Sequence, residues 1–150
     1  MYLKTSQFIP VSIEKAWSFF TDPKNLQKLT PEDMNFEITS EFKDEKIYPG
    51  MIITYVVSPV LRIPVKWMTE ITHVRDREYF VDDQRLGPFR IWNHQHHFRA
   101  VDGGVEMTDI IYYSIGFGFL GRLLDRLFIR KRVKNIFEYR KMAMNSLFNE

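Results

Sequence analysis

Cysteine is absent from this chain, and long apolar stretches are missing as well. Without cysteine there can be no disulfide, no thiolate nucleophile and no zinc site with cysteine ligands. No stretch approaches the roughly 18 apolar residues that a membrane-spanning helix needs, and residues 1–6 contain no apolar signal core. These absences predict a cytoplasmic protein with no stable membrane insertion.

Three further absences narrow the range of functions. The formal net charge is only +2, which is too small to indicate a nucleic-acid partner. The chain has no G-x-S-x-G motif for a nucleophilic serine and no glycine-rich loop that would cradle a phosphate. We therefore expect no nucleic acid as a partner and no serine or cysteine nucleophile.

Apolar and aromatic side chains are abundant. With 150 residues, of which 45% are hydrophobic, the chain fits one domain over 1–150 with a substantial core. Aromatic residues make up 15% of the chain, which is more than a sheet and a helix of this size need for closure. Such an excess is typical of a cavity lined for an apolar or ring-bearing guest.

Alternation, helical spacing and turn residues divide the chain into elements. A first strand from Tyr2 to Ile9 precedes a helix that Ser12 caps and Asp22-Pro23 ends. A second short helix runs through Leu26 and Leu29. The remaining predicted strands are Met34 to Phe42, Met51 to Ser58, Val65 to Arg75, Glu78 to Leu86, Trp92 to Val101 and Gly104 to Tyr113.

The last two strands form the most informative feature, a hairpin closed by Asp102-Gly103 as a type I′ turn. This turn sets the register of the two strands. On one face it pairs Trp92 with Tyr113, His94 with Ile111, His96 with Asp109 and Phe98 with Met107. The other face is polar, with Arg99 opposite Glu106. Parity likewise places Trp67 inward, together with Ile71 and His73.

After these strands, apolar residues recur at three- and four-residue spacing, which predicts one helix from about Leu120 to Leu147. Its predicted inward stripe is Leu120, Leu123, Leu127, Val133, Ile136, Phe137 and Leu147. The element order predicts an α+β helix-grip fold, a seven-stranded curved antiparallel sheet around the long C-terminal helix, with two short helices between strands 1 and 2. A bent sheet cannot contact one helix along its whole length, so we expect a cavity between them.

The hairpin and the strand before it also carry a family resemblance. The residues concerned are Phe80, Asp82, Gln84, Gly87-Pro88-Phe89, Trp92, His94, His96, Phe98, Asp109 and Tyr113. Their spacing resembles ligand-binding SRPBCC domains of the Bet v 1/START-like superfamily, in its bacterial polyketide cyclase-like, "cell division inhibitor"-like branch. The resemblance implies the helix-grip fold, but this superfamily includes lipid carriers, receptors and cyclases, so it does not select one activity.

The resemblance bears on two further points. Parity alone leaves open whether Asp82 and Gln84 or Asp83 and Arg85 face the interior, and the resemblance favours the first pair. Plant members have a glycine-rich loop where residues 43–50 of this chain contain one glycine, so plant-type ligand specificity is not implied.

Two histidines carry the candidate chemistry. His94 and His96 share a strand face, roughly 6.6 to 7 Å apart along it. With Asp109 as a third ligand they would suit a metal ion, whereas a hydrogen-bonded pair of His96 with Asp109 would leave no metal site. We favour the hydrogen-bonded pair and expect no metal. A histidine beside a carboxylate also suits proton transfer, so a cyclase or isomerase stays open as an alternative.

The predicted C-terminal helix is strongly basic between residues 121 and 141. Its basic residues are Arg122, Arg126, Arg130, Lys131, Arg132, Lys134, Arg140 and Lys141, against Asp125 and Glu138. Such a helix suits a membrane- or partner-docking module. A solvated outer face is the favoured interpretation, because the apolar stripe is assigned to the sheet.

We therefore predict a protein, monomeric or homodimeric, that binds a small apolar molecule such as a lipid, a polyketide or an aromatic compound. The predicted polar orienting groups are Gln84, His94, His96 and Asp109. The predicted cavity wall is Trp67, Trp92, Phe98, Ile111 and Tyr113. No cofactor, metal or catalytic residue is assigned.

Overall fold

The computed structural model describes residues 1–42, 46–59 and 62–148. Its strands are β1 (Tyr2–Ile9), β2 (Glu37–Ile38), β3 (Ile52–Val57), β4 (Val65–Arg75), β5 (Tyr79–Leu86), β6 (Ile91–Val101) and β7 (Gly104–Ser114). Over the described residues they form one antiparallel sheet of seven strands in the order β1-β7-β6-β5-β4-β3-β2. The last element is a helix composed of α2 (Gly118–Leu124), a π-helical turn (Asp125–Ile129) and α3 (Arg130–Phe148). The predicted helix-grip fold is confirmed.

Short helices occupy the connection from β1 to β2, as predicted. They are α1 (Ile13–Phe20) and the 3₁₀ helices Pro23–Leu29 and Glu32–Met34. Ser12 caps α1 by accepting a hydrogen bond from the backbone N–H of Lys15 at 3.2 Å. Asp22 starts the first 3₁₀ helix in the same way, accepting from the backbone N–H of Lys24 at 3.0 Å.

The strand predicted over Met34 to Phe42 is wrong for most of its length. Met34 ends a 3₁₀ turn, and Asn35 adopts a left-handed conformation with φ 44°, which redirects the chain before the two-residue strand β2. Asparagine tolerates this conformation better than most residues, a signal that alternation alone overlooks. Residues 43–45 of the loop that differs from plant proteins lie outside the described residues.

The hairpin register is confirmed. In β6 and β7, the pairs are Trp92 with Tyr113, His94 with Ile111, His96 with Asp109 and Phe98 with Met107. The predicted turn type is wrong, because Gly103 has φ 75° while Asp102 lies outside the positive-φ region, and a type I′ turn needs both. The register is kept because Val101 still pairs directly with Gly104.

In β4, the alternation that places every second side chain inward ends before the predicted position His73. Trp67 and Ile71 are buried, as expected, but His73 is exposed. The pairing of β4 with β5 shifts between Ile71 and His73, which is the mark of a bulge or irregularity that turns later side chains to the other face.

The C-terminal helix is unbroken over 118–148, but its inward stripe is wrong at several positions. Val133 and Phe137 are buried and Ile136 is partly buried, as predicted. Four other predicted members are exposed by 41% to 56%: Leu120, Leu123, Leu127 and Leu147. Within the described ranges, no helix combines the length and the apolar character that crossing a bilayer requires.

Two contacts set the orientation of the first part of this helix. Gly121 packs so closely on Gly116 that a Cβ there would come within 1.7 Å of the Gly116 carbonyl oxygen. Asp125 is fully buried and accepts hydrogen bonds from Tyr113 Oη at 2.9 Å and from Arg130 Nη2 at 3.1 Å. A glycine and a carboxylate therefore hold the inward positions, and the neighbouring leucines face outward.

Candidate ligand-binding cavity

A cavity of about 250 Å³ lies between the sheet and the C-terminal helix. Much of its wall is aromatic: Phe36, Tyr55, Trp67, Phe80, Phe89, Trp92 and Phe137. Trp67 is central in this wall, since its ring centroid lies within 5.8 Å of those of Tyr55, Phe89 and Trp92. Aromatic walls of this kind suit apolar, ring-bearing guests.

Five ionisable side chains, which we call the polar cluster, meet at this cavity: Asp82, His94, His96, Asp109 and Arg140. Strand register brings four of them together, because Asp82 pairs with His94 across β5 and β6, and His96 pairs with Asp109 across β6 and β7. Arg140 reaches them from α3. Burial is deep, since the most exposed side chain of the five, that of Asp82, is only 15% exposed.

Both histidines bridge both carboxylates. Asp109 Oδ1 lies 2.9 Å from His94 Nε2 and 3.1 Å from His96 Nδ1. Asp82 Oδ2 lies 2.7 Å from His96 Nε2 and 3.6 Å from His94 Nδ1. The second Asp109 oxygen lies 3.6 Å from Arg140 Nε, so this carboxylate meets three nitrogen-bearing side chains.

The two histidines differ in pKa although they are neighbours. Burial by itself would lower the pKa of His96, but its hydrogen bonds to Asp109 and Asp82 outweigh burial and raise that pKa above the ordinary value. For His94, burial and the charge of His96 prevail over the carboxylates and lower the pKa. Of the two, His96 therefore holds a proton more strongly than His94.

The carboxylates remain ionised despite burial. Burial opposes their charge, yet the Arg140 guanidinium and the two histidines hold the pKa of Asp109 well below its usual range. The histidines likewise lower the pKa of Asp82. Both carboxylates therefore face histidine nitrogens, and Asp109 also faces the Arg140 guanidinium, so each has partners within the polar cluster.

Metal ligation has a different candidate set from the predicted one. Asp82, His94 and His96 each offer a ligand atom, and these atoms lie within 4.8 Å of one another. The same atoms already take part in the contacts within the polar cluster, and the Arg140 Nη2 lies only 3.3 Å from His96 Nδ1. A metal ion would have to displace these contacts and sit beside a guanidinium cation, which disfavours it electrostatically.

The structure places five of the nine predicted site residues at the cavity or directly behind it. Trp67, Trp92, His94 and His96 line the cavity. Asp109 is buried behind the two histidines and bonds to them.

The other four predicted residues lie elsewhere. Both amide atoms of Gln84 bond to the backbone of Phe89, with the Phe89 N–H donating to Oε1 at 3.2 Å, so this side chain closes the β5–β6 turn. Phe98 and Ile111 are buried in the apolar core. Tyr113 donates its hydroxyl to the buried carboxylate of the C-terminal helix.

Two members of the polar cluster were not in the predicted site, Asp82 and Arg140. Asp82 lies on the face that the family resemblance favours and that parity leaves open. For Arg140 a signal exists in the sequence, because it follows Val133 and Phe137 at helical spacing, and all three are buried. The assignment of Arg140 to the solvated basic face of the helix is wrong, because its side chain is buried.

Two buried donors in the cavity wall, Arg140 Nε–H and the Trp67 indole N–H, form no hydrogen bond among the described residues. Arg140 Nε still lies 3.6 Å from an Asp109 oxygen, whereas the Trp67 N–H has no hydrogen-bond partner in the described part of the chain. Buried donors nearly always have one, so this N–H is a natural contact point for an acceptor atom of a guest.

Comparison with protein-family models and with curated proteins gives no match. Solved structures do match over nearly the whole chain.

Protein Ms6760 from Mycobacterium smegmatis is 18% identical with a TM-score of 0.72, over 99% of this chain and 90% of that one. A START superfamily protein from the same organism is 9% identical with a TM-score of 0.74, over 99% and 97% of the two chains. Ara h 8.0201 is 15% identical with a TM-score of 0.60, over 97% and 98%. At these identities the likeness concerns the fold alone, and the chain shares the helix-grip fold of these proteins.

Proposed function

We propose that this protein binds a small, uncharged, largely apolar molecule in the cavity between its sheet and its C-terminal helix. The observation that carries the proposal is the cavity of about 250 Å³ with its aromatic wall. For scale, an apolar cavity of about 150 Å³ is enough to hold benzene. The space here suits a guest with one or two fused rings, or a short acyl chain.

The contacts within the polar cluster are the reason to expect an uncharged guest. Asp82 and Asp109 already have His94, His96 and Arg140 as partners, so an added carboxylate or ammonium would stand unpaired in a buried site. An unpaired buried charge is strongly unfavourable. His94 and the Trp67 N–H are the groups we assign to orient the guest.

A matched pair of fluorescent probes tests both parts of this proposal. N-phenyl-naphthylamine is neutral and apolar, and anilinonaphthalene sulfonate is a closely related ring system with one negative charge. We expect the neutral probe to bind with enhanced fluorescence and to quench Trp emission, and the anionic probe to bind at least tenfold more weakly. Tighter binding of the anionic probe would contradict the assignment of an uncharged guest.

A cavity-filling variant locates the binding. Ile136 lines the cavity, so Ile136→Trp should abolish binding of the neutral probe. The matched control is Asn135→Trp, which adds the same side chain to the exposed side of the helix. Retained binding in Ile136→Trp would place the probe outside the cavity. Native mass spectrometry of protein purified from its own host would then identify the guest itself.

The second candidate function is proton-transfer catalysis on such a guest, as in a cyclase or isomerase. The favouring observation is the contact of His94 Nε2 with Asp109 Oδ1 at 2.9 Å, which would orient the ring as a base, together with the lowered pKa of His94. Once a guest is identified, exchange of its acidic C–H with deuterated water should be accelerated by the protein and slowed in His94→Gln. If the protein binds the guest but does not accelerate this exchange, it binds the guest without catalysing proton transfer.

We also propose that the polar cluster works without a metal, because its histidine nitrogens already contact the two carboxylates and Arg140. Elemental analysis of protein purified without chelator should show less than one transition metal per chain. A stoichiometric metal that disappears in His94→Gln would overturn this.

A further inference from the structure

We propose that the segment 117–131, which we call the docking segment, binds the surface of an anionic membrane. All of its large apolar side chains except Ile129 are outside the core: Phe117 and Phe119 are 80% and 74% exposed, and Phe128 is 62% exposed. Leucines of α2 and the π turn, among them Leu120 and Leu127, extend the same exposed apolar surface. Clustered exposed apolar residues of this kind mark an interaction site in a folded protein.

In this segment the helix turns its apolar side chains outward and its small or polar ones inward, the reverse of the usual arrangement. A helix that packs only on its own sheet turns apolar residues inward and polar residues outward. Here the buried positions are Gly121 and Asp125, and the apolar residues between them face outward. The close contact of Gly121 with Gly116 and the bonds of Asp125 to Tyr113 and Arg130 hold the helix in this orientation.

The positive charge of the docking segment indicates an anionic membrane as its partner. The docking segment carries Arg122, Arg126, Arg130 and Lys131, all exposed. Its one acidic residue, Asp125, is buried and already bonded. Apolar side chains interleaved with cations fit a bilayer interface, where the apolar groups enter the headgroup boundary and the cations meet anionic lipids. A symmetric contact with a second copy would instead bring six cations together, in addition to the two Arg130–Asp125 pairs.

The docking segment also lies beside the cavity. Ile115, which precedes α2, and Ile129, the last residue of the π turn, both line the cavity, and Phe128 lies next to Ile129. A protein attached through this segment would hold its cavity close to the bilayer surface. Membrane attachment itself does not require that the cavity be occupied, so the two proposals fail or succeed separately.

Vesicle flotation at low salt tests membrane binding. The full chain should float with vesicles of equal phosphatidylglycerol and phosphatidylcholine, and stay unbound with phosphatidylcholine alone. Raising the salt concentration should weaken binding, since surface charge is screened. A wild-type chain that does not float with the anionic vesicles would overturn the proposal.

Paired variants separate the two contributions. Phe119→Ser with Phe128→Ser, and separately Arg122→Gln with Arg126→Gln, should each reduce binding at least tenfold. The controls are Ile91→Ser and Lys66→Gln, an exposed apolar and an exposed basic residue on the sheet, which should bind like the wild type. Thermal melting by circular dichroism should match the wild type for all four. Unchanged binding in the phenylalanine variant, or a stable dimer that protects the docking segment from hydrogen exchange, would also overturn the proposal.

Discussion

Asp109 and His96 make the free energy of unfolding depend on pH in opposite directions: Asp109 stabilises less as pH falls, and His96 stabilises less as pH rises. The pKa of Asp109 is lowered on folding, so its contribution is present above the unfolded value of about 3.9 and is lost as pH falls through the folded value. The pKa of His96 is raised, so its contribution is full below the unfolded value of about 6.5 and fades as pH rises through the folded value. Both contributions coexist between about pH 4 and pH 6.5.

Asp109→Asn should therefore lower the pKa of His96 and destabilise the protein most within that window. The expected cost is about 3 kcal/mol or more, because removing one charge leaves its buried partners uncompensated. Urea unfolding at several pH values gives the stability, and an NMR titration gives the His96 pKa. Arg99→Ala is the control, since it breaks an exposed pair with Glu106 at 2.9 Å and should cost about 1 kcal/mol at most. A His96 pKa indifferent to Asp109→Asn would refute the pairing.

Arg140 should couple energetically to Asp109, because its Nε lies 3.6 Å from the Asp109 carboxylate in a buried site. Arg140→Leu alone leaves the carboxylates with one cation too few and should be strongly destabilising. Combining it with Asp109→Asn removes one charge of each sign, so the double variant should be more stable than the sum of the single changes predicts, by about 1 to 3 kcal/mol. Strictly additive losses would mean that the two side chains do not interact.

At the scale of the element, a polar contact rather than apolar periodicity orients the C-terminal helix. The buried Asp125 carboxylate accepts from Tyr113 at the end of β7, which ties the helix to the sheet. Burial, together with the hydrogen bond to Asp125, raises the pKa of Tyr113 to about 12. The Tyr113 hydroxyl therefore keeps its proton, and remains a donor, at neutral pH.

Tyr113→Phe should lower the free energy of unfolding by about 1 to 3 kcal/mol, because it leaves a buried acceptor without one of its donors. Tyr112→Phe is a matched control on the neighbouring position, where the side chain is exposed on the opposite face of the sheet. That change should stay within about 0.5 kcal/mol of the wild type. Equal losses in the two variants would show that the bond to Asp125 does not stabilise the fold.

At the scale of the whole molecule, the cavity makes stability depend on the guest. Atoms that line an empty space lack packing partners, and a guest that binds only the folded state restores them. N-phenyl-naphthylamine at about 100 times its dissociation constant should raise the free energy of unfolding by about 2.7 kcal/mol. Denaturation with and without the probe measures this shift. Ile136→Trp should abolish the shift and Asn135→Trp should keep it; the reverse pattern would contradict binding in the cavity.

The amino-acid sequence alone determined the fold and the inner face of the hairpin. Strand alternation is a local property with a period of two, so the positions of Trp92, His94 and His96 followed once the turn at Asp102-Gly103 was placed. The two short helices followed from their caps, which are local as well. Local patterns were enough for the hairpin and the short helices because these features depend on residues close together in the chain.

Only the tertiary structure decided which polar groups meet and which apolar groups stay outside. Arg140 joins the polar cluster because α3 crosses the sheet there, and Gln84 is diverted to the backbone of Phe89. The outward leucines of α2 follow from the close packing of Gly121 and the long-range bond of Asp125 to Tyr113. Periodicity identifies an apolar stripe, but the direction in which that stripe faces is set by contacts between distant parts of the chain, whose energies no local pattern contains.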